Sequence, residues 1–153
     1  RENFPQKISE YVLNKLRKDP NHPLFLQLSD AGPAERVDQS DPTVELPYRV
    51  ESNIIHKYSS RILVFFTGTC FCHCRFCFWR NRDFYHPQPH EQTLQTIENY
   101  LNKHDQVVEI IISGGDFLTL DDDEITMILK RLAGLGRMIR IHSRVLSFQP
   151  RRL

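Results

Sequence analysis

Short apolar runs alternate with longer amphipathic stretches in the second half of the chain. Residues 62–66 and 107–112 are almost continuously apolar, which is typical of strands buried on both faces. Residues 138–141 predict a third strand, and residues 92–103 predict a helix with its apolar positions on one side. The pattern therefore predicts strands that alternate with helices.

Local signals for a second helix lie between the last two predicted strands. Asp121 and Glu124 have the spacing of a capping box, in which each side chain bonds the other residue's backbone N–H. Apolar residues at helical spacing follow over residues 125–132. Gly134 or Gly136 can then supply a left-handed cap at the helix end.

The first third of the chain has a different character. Residues 5–18 predict a helix, which Pro20 and Pro23 are expected to end. Residues 29–53 contain further prolines among polar residues and predict an irregular arm. We therefore expect a helical extension with an arm over residues 1–55, and an α/β unit over residues 56–153.

The strand–helix alternation predicts βαβ units and a parallel sheet. Right-handed crossovers place every strand-to-helix loop at the same end of such a sheet. Residues 70–77, residues 113–116 and the segment after Ile141 each follow a predicted strand. We therefore expect these three segments to converge in space.

All four cysteines lie in one loop, Cys70-Phe71-Cys72-His73-Cys74-Arg75-Phe76-Cys77. Such clustering indicates a metal site in a reducing compartment, and hence the cytoplasm, rather than a disulfide framework. Structural zinc usually takes two ligand pairs separated by a longer loop. A four-iron cluster held by the Cys-x3-Cys-x2-Cys subset would leave one iron open to a small molecule. Cys72 is then a bystander, and zinc-bound or simply buried thiols remain the alternative.

Composition and charge indicate which classes of partner the protein is not expected to bind. The 153 residues carry a net charge of +1 and 40% hydrophobic residues, which suits one soluble domain without a nucleic-acid partner. The sequence has no apolar run of the ~18 residues that a membrane helix needs. The amino-terminal residues also lack the apolar stretch of a signal peptide. We expect neither a nucleic acid nor a membrane as partner.

The cysteine spacing after a first strand resembles that of the radical S-adenosylmethionine enzymes. Further motifs resemble the lysine 2,3-aminomutase family, and most of all its branch that makes β-lysine for elongation factor P. The motifs are His56-Lys57-Tyr58, Arg61, Cys74-Arg75-Phe76-Cys77-Phe78, Ser113-Gly114-Gly115-Asp116, Arg140-Ile141-His142-Ser143-Arg144 and Pro150-x-Arg152.

The resemblance implies a fold, a reaction and cofactors. The fold would be the N-terminal half of a partial (β/α)6 barrel, with about three βα units after the helical extension. The reaction would be a 1,2-amino migration that converts L-lysine or a related amino acid to a β-amino acid. It would use a 4Fe–4S cluster, S-adenosylmethionine and pyridoxal 5′-phosphate, with an electron donor such as flavodoxin or ferredoxin.

The resemblance also implies binding roles for residues, although it assigns no catalytic residue. Cys70, Cys74 and Cys77 would hold the cluster. Gly114, Gly115 and Asp116 would approach the methionine part of S-adenosylmethionine, since absent side chains allow close contact. Ser143 and Arg144, at the end of the third strand, would also bind a cofactor, and Arg144 could pair with a carboxylate. Lys57, Tyr58 and Arg61 would lie near the phosphate of pyridoxal phosphate.

Plainer interpretations of these residues exist. The glycines could form an ordinary strand-to-helix turn, and Arg144 and Lys57 could be solvated surface residues. At the level of function, the alternatives are a radical S-adenosylmethionine enzyme of another reaction type and a non-catalytic module that binds zinc or an iron–sulfur cluster.

The sequence departs from the family pattern at three positions. Trp79 stands where the family usually has an arginine that addresses the substrate carboxylate, Phe117 replaces a proline or alanine, and Cys72 is an additional thiol. The family's lysine that bonds pyridoxal phosphate lies beyond the third βα unit, near which this chain stops. We therefore expect a fragment or truncated product, and a homo-oligomer from the full-length protein.

Overall fold

A computed structural model describes residues 7–29, 41, 43–77, 79 and 88–153. Its helices are α1 (Glu10–Lys18), α2 (Pro23–Leu28), α3 (His90–Leu101), α4 (Asp122–Ala133) and α5 (Val145–Phe148). Its strands are β1 (Arg49–Glu51), β2 (Ile54–Tyr58), β3 (Arg61–Phe65), β4 (Glu109–Ser113) and β5 (Met138–Ile141). Short 3-10 helices cover Leu46–Tyr48, Phe117–Thr119 and Pro150–Arg152.

The strands form one mixed sheet in the order β1-β2-β3-β4-β5. β3, β4 and β5 are parallel neighbours, with Ile62 opposite Ile110 and Ile110 opposite Ile139. This part confirms the predicted parallel strands and the helices between them, to within two residues or so at each end. The closure of the sheet into a partial barrel stays a prediction.

The hairpin of β1 and β2 corrects one expectation. β1 lies within residues 29–53, which were expected to be irregular, and it pairs antiparallel with β2. Its sequence, Arg-Val-Glu, has no apolar run, and its residues are exposed or half-buried, so hydrophobic periodicity could not reveal it. The expected division of the chain after residue 55 falls within β2 and stays a prediction.

The main core lies between one face of the sheet and the two helices α3 and α4. The strands contribute mainly isoleucine and valine, which pack well on a pleated surface. Its fully buried members include Ile54, Ile62, Val64, Ile110 and Ile112 from the strands and Leu94, Ile97, Ile128 and Leu132 from the helices. The opposite face carries a smaller cluster of Ile55, Leu63, Phe65 and Trp79.

The predicted capping box of α4 is confirmed. The Asp121 carboxylate accepts a hydrogen bond from the Glu124 N–H at 2.8 Å, and Glu124 accepts one from the Asp121 N–H at 3.2 Å. Of the two glycines after the helix, Gly134 has a right-handed φ of −61°. Gly136 adopts the left-handed φ of +65° and so supplies the turn.

The N-terminal helices differ in detail from the expectation. α1 begins at Glu10 with Ser9 as its cap, and residues 5 and 6 of the expected helix lie outside the described residues. Pro23 was expected to end a helix, but it begins α2, because proline at the first helical position has no N–H that needs a partner. Among the described helices, none is long and apolar enough to span a bilayer.

The buried leucine of α3 provides a test of the core. Leu94 is 0% exposed, whereas Leu146 in α5 is 70% exposed. Leu94→Ala should lower the free energy of unfolding by about 2–5 kcal/mol, because it leaves a cavity in a packed core. Leu146→Ala should change it by less than about 0.5 kcal/mol. Urea denaturation followed by circular dichroism measures both, and equal losses would contradict this placement of the core.

Candidate functional site

Loops from three parallel strands meet at one end of the sheet. After β4, the Gly115 N–H donates to the Thr67 carbonyl at 3.0 Å, and the Asp116 N–H donates to the Thr69 carbonyl at 2.8 Å. Thr67 and Thr69 belong to the segment that leads from β3 into the cysteine loop. The segment after β5 joins them through Ser143 and Arg144. The convergence predicted from topology is therefore confirmed.

The carboxylate of Asp116 holds this junction together. Only 7% of the residue is exposed. One oxygen accepts hydrogen bonds from the Ser143 hydroxyl at 2.8 Å and the Leu118 N–H at 3.1 Å. The other accepts from the Arg144 N–H at 2.9 Å. The buried charge is thus met by three donors, and the loops after β4 and β5 are fixed to each other.

The two glycines before Asp116 allow the loops to approach each other. Gly114 has a φ of +98°, and a Cβ there would lie 2.6 Å from the Phe65 ring. A Cβ on Gly115 would lie 2.5 Å from the Thr69 carbonyl oxygen. The missing side chains therefore make room for Phe65 at the end of β3 and for Thr69 just before the cysteine loop. A role in binding S-adenosylmethionine stays a prediction for both glycines.

The cysteine loop presents its thiols in two environments. Among the cysteines, all of which the structure describes, none forms a disulfide. Cys72 is 2% exposed and packs with Val12, Leu28 and Phe148. Its sulfur accepts a hydrogen bond from the Ser9 N–H at 3.2 Å. Cys70, Cys74 and Cys77 are only half-buried, although Cys74 also packs against the cluster that contains Cys72. The three thiols of the predicted motif are therefore more accessible than the fourth.

The surroundings of Cys70 and Cys74 favour the neutral thiol over the thiolate. The pKa of Cys70 is raised to about 11, chiefly by burial and to a smaller extent by the nearby Cys77, Asp116 and Cys74, while a hydrogen bond from the Asp116 backbone opposes the rise. Burial also raises the pKa of Cys74, while the Arg144 guanidinium opposes that rise. A metal that binds here would have to displace the protons of these two thiols.

The donor set fits an iron–sulfur cluster in its chemistry, since thiolates are the ligands that such clusters use. Over the described residues, no three His, Cys, Asp or Glu side chains are grouped closely enough to form a ready-made metal site. The loop therefore holds neighbouring sulfurs of the right kind without a preformed cage.

Arg144 reaches across the site from the end of β5. One Nη donates to the Cys74 sulfur at 3.0 Å, and the other donates to the side-chain oxygen of Gln27 in α2. The guanidinium carbon lies 4.6 Å from the ring centre of Phe148 and 5.2 Å from that of Phe76. The side chain is therefore not a solvated surface arginine. A cofactor carboxylate would have to compete with Gln27 for it.

Lys57, Tyr58 and Arg61 come together at the other end of β3. They line a hollow with Glu45, Ile55, Leu63 and Ile111. Lys57 donates to the Thr43 carbonyl at 2.7 Å, and the Arg61 guanidinium lies 4.9 Å from the centre of the Tyr58 ring. The buried Nε of Arg61 has no hydrogen-bond partner within the described parts of the chain. These cations are grouped with one another and not with the thiols.

Two of the unusual residues have a packing explanation. The Trp79 ring meets Phe65 edge to face, with 4.7 Å between ring centres, on the sheet face that also carries Leu63. Phe117 is 1% exposed and packs 5.9 Å from Phe66 in the main core. A large aromatic residue therefore fills space at each position, and Trp79 cannot form the ion pair expected of an arginine.

Sequence reasoning missed two residues, Gln27 at the thiol site and Glu109 at the opposite end of the sheet. Gln27 contacts Arg144 from α2, a helix that the flanking prolines concealed. Glu109, only 8% exposed, forms an ion pair with Arg140 across β4 and β5 at 2.6 Å. A charged residue inside an otherwise apolar strand was the one signal available for Glu109.

Fold and site together define an α/β protein whose strand-end loops gather three thiols, a glycine-rich turn and an arginine. No family model matches the sequence. The chain is 31% identical over 156 residues to the L-lysine 2,3-aminomutase of Haemophilus influenzae. The match covers 98% of this chain and 46% of the relative. It is 30% identical to the Escherichia coli enzyme of that name, in a match that covers 98% of this chain and 45% of the relative.

A third relative agrees with these two. The L-lysine 2,3-aminomutase of Acetoanaerobium sticklandii is 31% identical over 136 residues, which cover 86% of this chain and 31% of the relative. The chain thus spans less than half the length of these relatives. Over the region that it covers, the chain belongs to the lysine 2,3-aminomutase family.

The junction at Asp116 can be tested by an isosteric change. Asp116→Asn should cost about 1–3 kcal/mol of stability, because the amide cannot accept from all three donors and leaves one of them buried without a partner. Asp123→Asn, at an exposed position in the first turn of α4, should cost less than about 0.5 kcal/mol. Denaturant titration compares the two variants. Equal stabilities would show that the carboxylate does not hold the loops.

Proposed function

We propose that the chain supplies the cluster-binding region of a radical S-adenosylmethionine aminomutase. The reaction would be a 1,2-amino migration on L-lysine or a related amino acid. The observation that carries the proposal is the meeting of the cysteine loop, the Gly114-Gly115-Asp116 turn and the Ser143-Arg144 segment at one end of parallel strands. Membership of the lysine 2,3-aminomutase family supports the reaction type.

Cys70, Cys74 and Cys77 would hold a 4Fe–4S cluster. When bound, the cluster with S-adenosylmethionine supplies the one-electron chemistry that starts the reaction. Cys72 would be the poorer ligand, since it is 2% exposed and its sulfur already accepts a hydrogen bond from the Ser9 N–H. An electron donor such as flavodoxin or ferredoxin in the cytoplasm and a homo-oligomer of the full-length protein complete the proposal.

The rest of the site would position S-adenosylmethionine and exclude water. Asp116 fixes the backbone of Arg144, so the turn after β4 and the segment after β5 would form one wall beside the thiols. The backbone of the Gly114-Gly115 turn, which packs against Phe65 and Thr69 where a Cβ would clash, would line the methionine part of the cofactor. Ser143 and Arg144 would add polar contacts at the same wall.

The hollow at the other end of β3 would take the phosphate of pyridoxal phosphate. Lys57 and Arg61 bring two cations to it, and Tyr58 brings a hydroxyl. Cations that can donate hydrogen bonds are the groups that bind a phosphate dianion. The unpartnered Nε of Arg61 is a donor that such an anion would satisfy.

The cysteines provide the decisive test. After anaerobic reconstitution, the protein should bind four irons and show a reduced-cluster paramagnetic resonance signal that shifts when S-adenosylmethionine is added. Replacement of Cys70, Cys74 or Cys77 by alanine should abolish iron binding, because each removes a ligand. Cys72→Ala is the matched control and should retain the iron and the signal.

Two outcomes would contradict the proposal. Tightly bound zinc, with no signal that responds to S-adenosylmethionine, would favour a non-catalytic metal-binding module. An equal loss of iron in Cys72→Ala and Cys74→Ala would show that the three-cysteine assignment is wrong. A responsive cluster without conversion of lysine to β-lysine by the full-length protein would favour another radical reaction.

The phosphate hollow generates a separate prediction. Lys57→Gln should weaken the binding of pyridoxal phosphate roughly tenfold or more, because a charge-assisted hydrogen bond contributes about 1.5–3 kcal/mol. Lys103→Gln removes the same charge from an exposed position after α3 and should leave the affinity unchanged. Visible absorbance during titration with pyridoxal phosphate measures both. Identical affinities would remove the hollow from the proposal.

A further inference from the structure

The guanidinium of Arg144 donates a hydrogen bond to the sulfur of Cys74, one of the three proposed cluster ligands. Its Nη1 lies 3.0 Å from the Cys74 Sγ, a distance that is short for a hydrogen bond to sulfur. Arg144 lies 70 residues from Cys74 in the chain, so the contact exists only because the loops after β3 and β5 converge. It is a charge-assisted bond to a specific ligand atom.

Several independent contacts fix this arginine in place. Asp116 accepts the backbone N–H of Arg144, which sets the start of the side chain. Gln27 accepts from the second Nη, which orients the plane of the guanidinium. The rings of Phe148 and Phe76 lie within 4.6 and 5.2 Å of the guanidinium carbon. Partial burial of this kind strengthens an electrostatic contact relative to one in water.

A fixed cation at a ligand sulfur has a definite electrostatic consequence. One-electron reduction adds a negative charge that a cluster shares with its thiolate sulfurs. Hydrogen bonds to the sulfurs and nearby charges are among the factors that set the reduction potential of such clusters. A donor that carries a positive charge stabilises the reduced state more than the oxidised state, and therefore raises the potential.

We propose that Arg144 is a positioning and tuning residue that raises the reduction potential of the cluster through its bond to the Cys74 sulfur, with Gln27 as its orienting partner. This inference rests on the proposed function, because it requires a cluster at Cys70, Cys74 and Cys77. It adds a role for Arg144 that is independent of any contact with a cofactor carboxylate.

The test is a potentiometric titration of the reconstituted protein without S-adenosylmethionine. Dithionite supplies the electron, and the paramagnetic resonance signal reports the reduced fraction. Arg144→Gln should lower the equilibrium constant for reduction about tenfold. For one electron this corresponds to a midpoint potential about 59 mV more negative. Arg144→Lys keeps the charge but cannot contact both Cys74 and Gln27. Its midpoint potential should lie between those of the unchanged protein and Arg144→Gln.

Arg75→Gln is the matched control for charge. Arg75 is next to Cys74 in the chain, but its guanidinium donates to the Leu26 carbonyl at 2.9 Å. Its removal should therefore shift the midpoint much less than Arg144→Gln does. Equal shifts in the two variants, or none in Arg144→Gln, would overturn the inference and leave the proposed function intact.

Gln27→Leu extends the test to a protein that keeps Arg144. It should shift the midpoint in the same direction by a smaller amount, and it should have no effect when Arg144 is already glutamine. A shift of the same size in both backgrounds would contradict the orienting role. Failure of the unchanged protein to bind a cluster would overturn the proposed function and this inference together, which separates that result from every other.

Discussion

The buried carboxylate of Asp116 is the interaction on which the rest of the site depends. A charge at this depth is stable only when hydrogen-bond donors surround it, and here the donors come from its own turn and from the segment after β5. Parallel strands already place these loops at the same end of the sheet. The carboxylate converts that general proximity into fixed distances, including the one between Arg144 and Cys74.

The strand β3 separates two chemically different regions. The thiols follow its carboxyl end at Phe65, whereas the cations of the hollow gather at Arg61. At ~3.3 Å per residue, the strand places about 13 Å between these ends. Because β3 is the middle strand of five and hydrogen-bonded on both sides, this separation is rigid.

The parts that could be predicted from sequence are those that depend on local periodicity and chain chirality. The apolar runs predict β3, β4 and β5, the capping box predicts the start of α4, and right-handed crossovers predict the meeting of the loops. β1 was missed because Arg49–Glu51 lacks any apolar run. The bond between Arg144 and Cys74 joins residues far apart in sequence, and no periodic pattern encodes such a contact.

The N-terminal helices bear on which thiols can act. A loop with four cysteines could offer several different sets of three ligands. Cys72 is buried under α1, and its sulfur accepts a hydrogen bond from the Ser9 N–H. This thiol is therefore less accessible to a metal than the other three. The helical region also fixes the loop backbone on both sides of Cys74. The His73 N–H donates to the Lys7 carbonyl, and the Arg75 N–H donates to the Gln27 carbonyl. In the proposed cluster site, the extension would therefore contribute to ligand choice, since it buries Cys72 more deeply than the other three thiols.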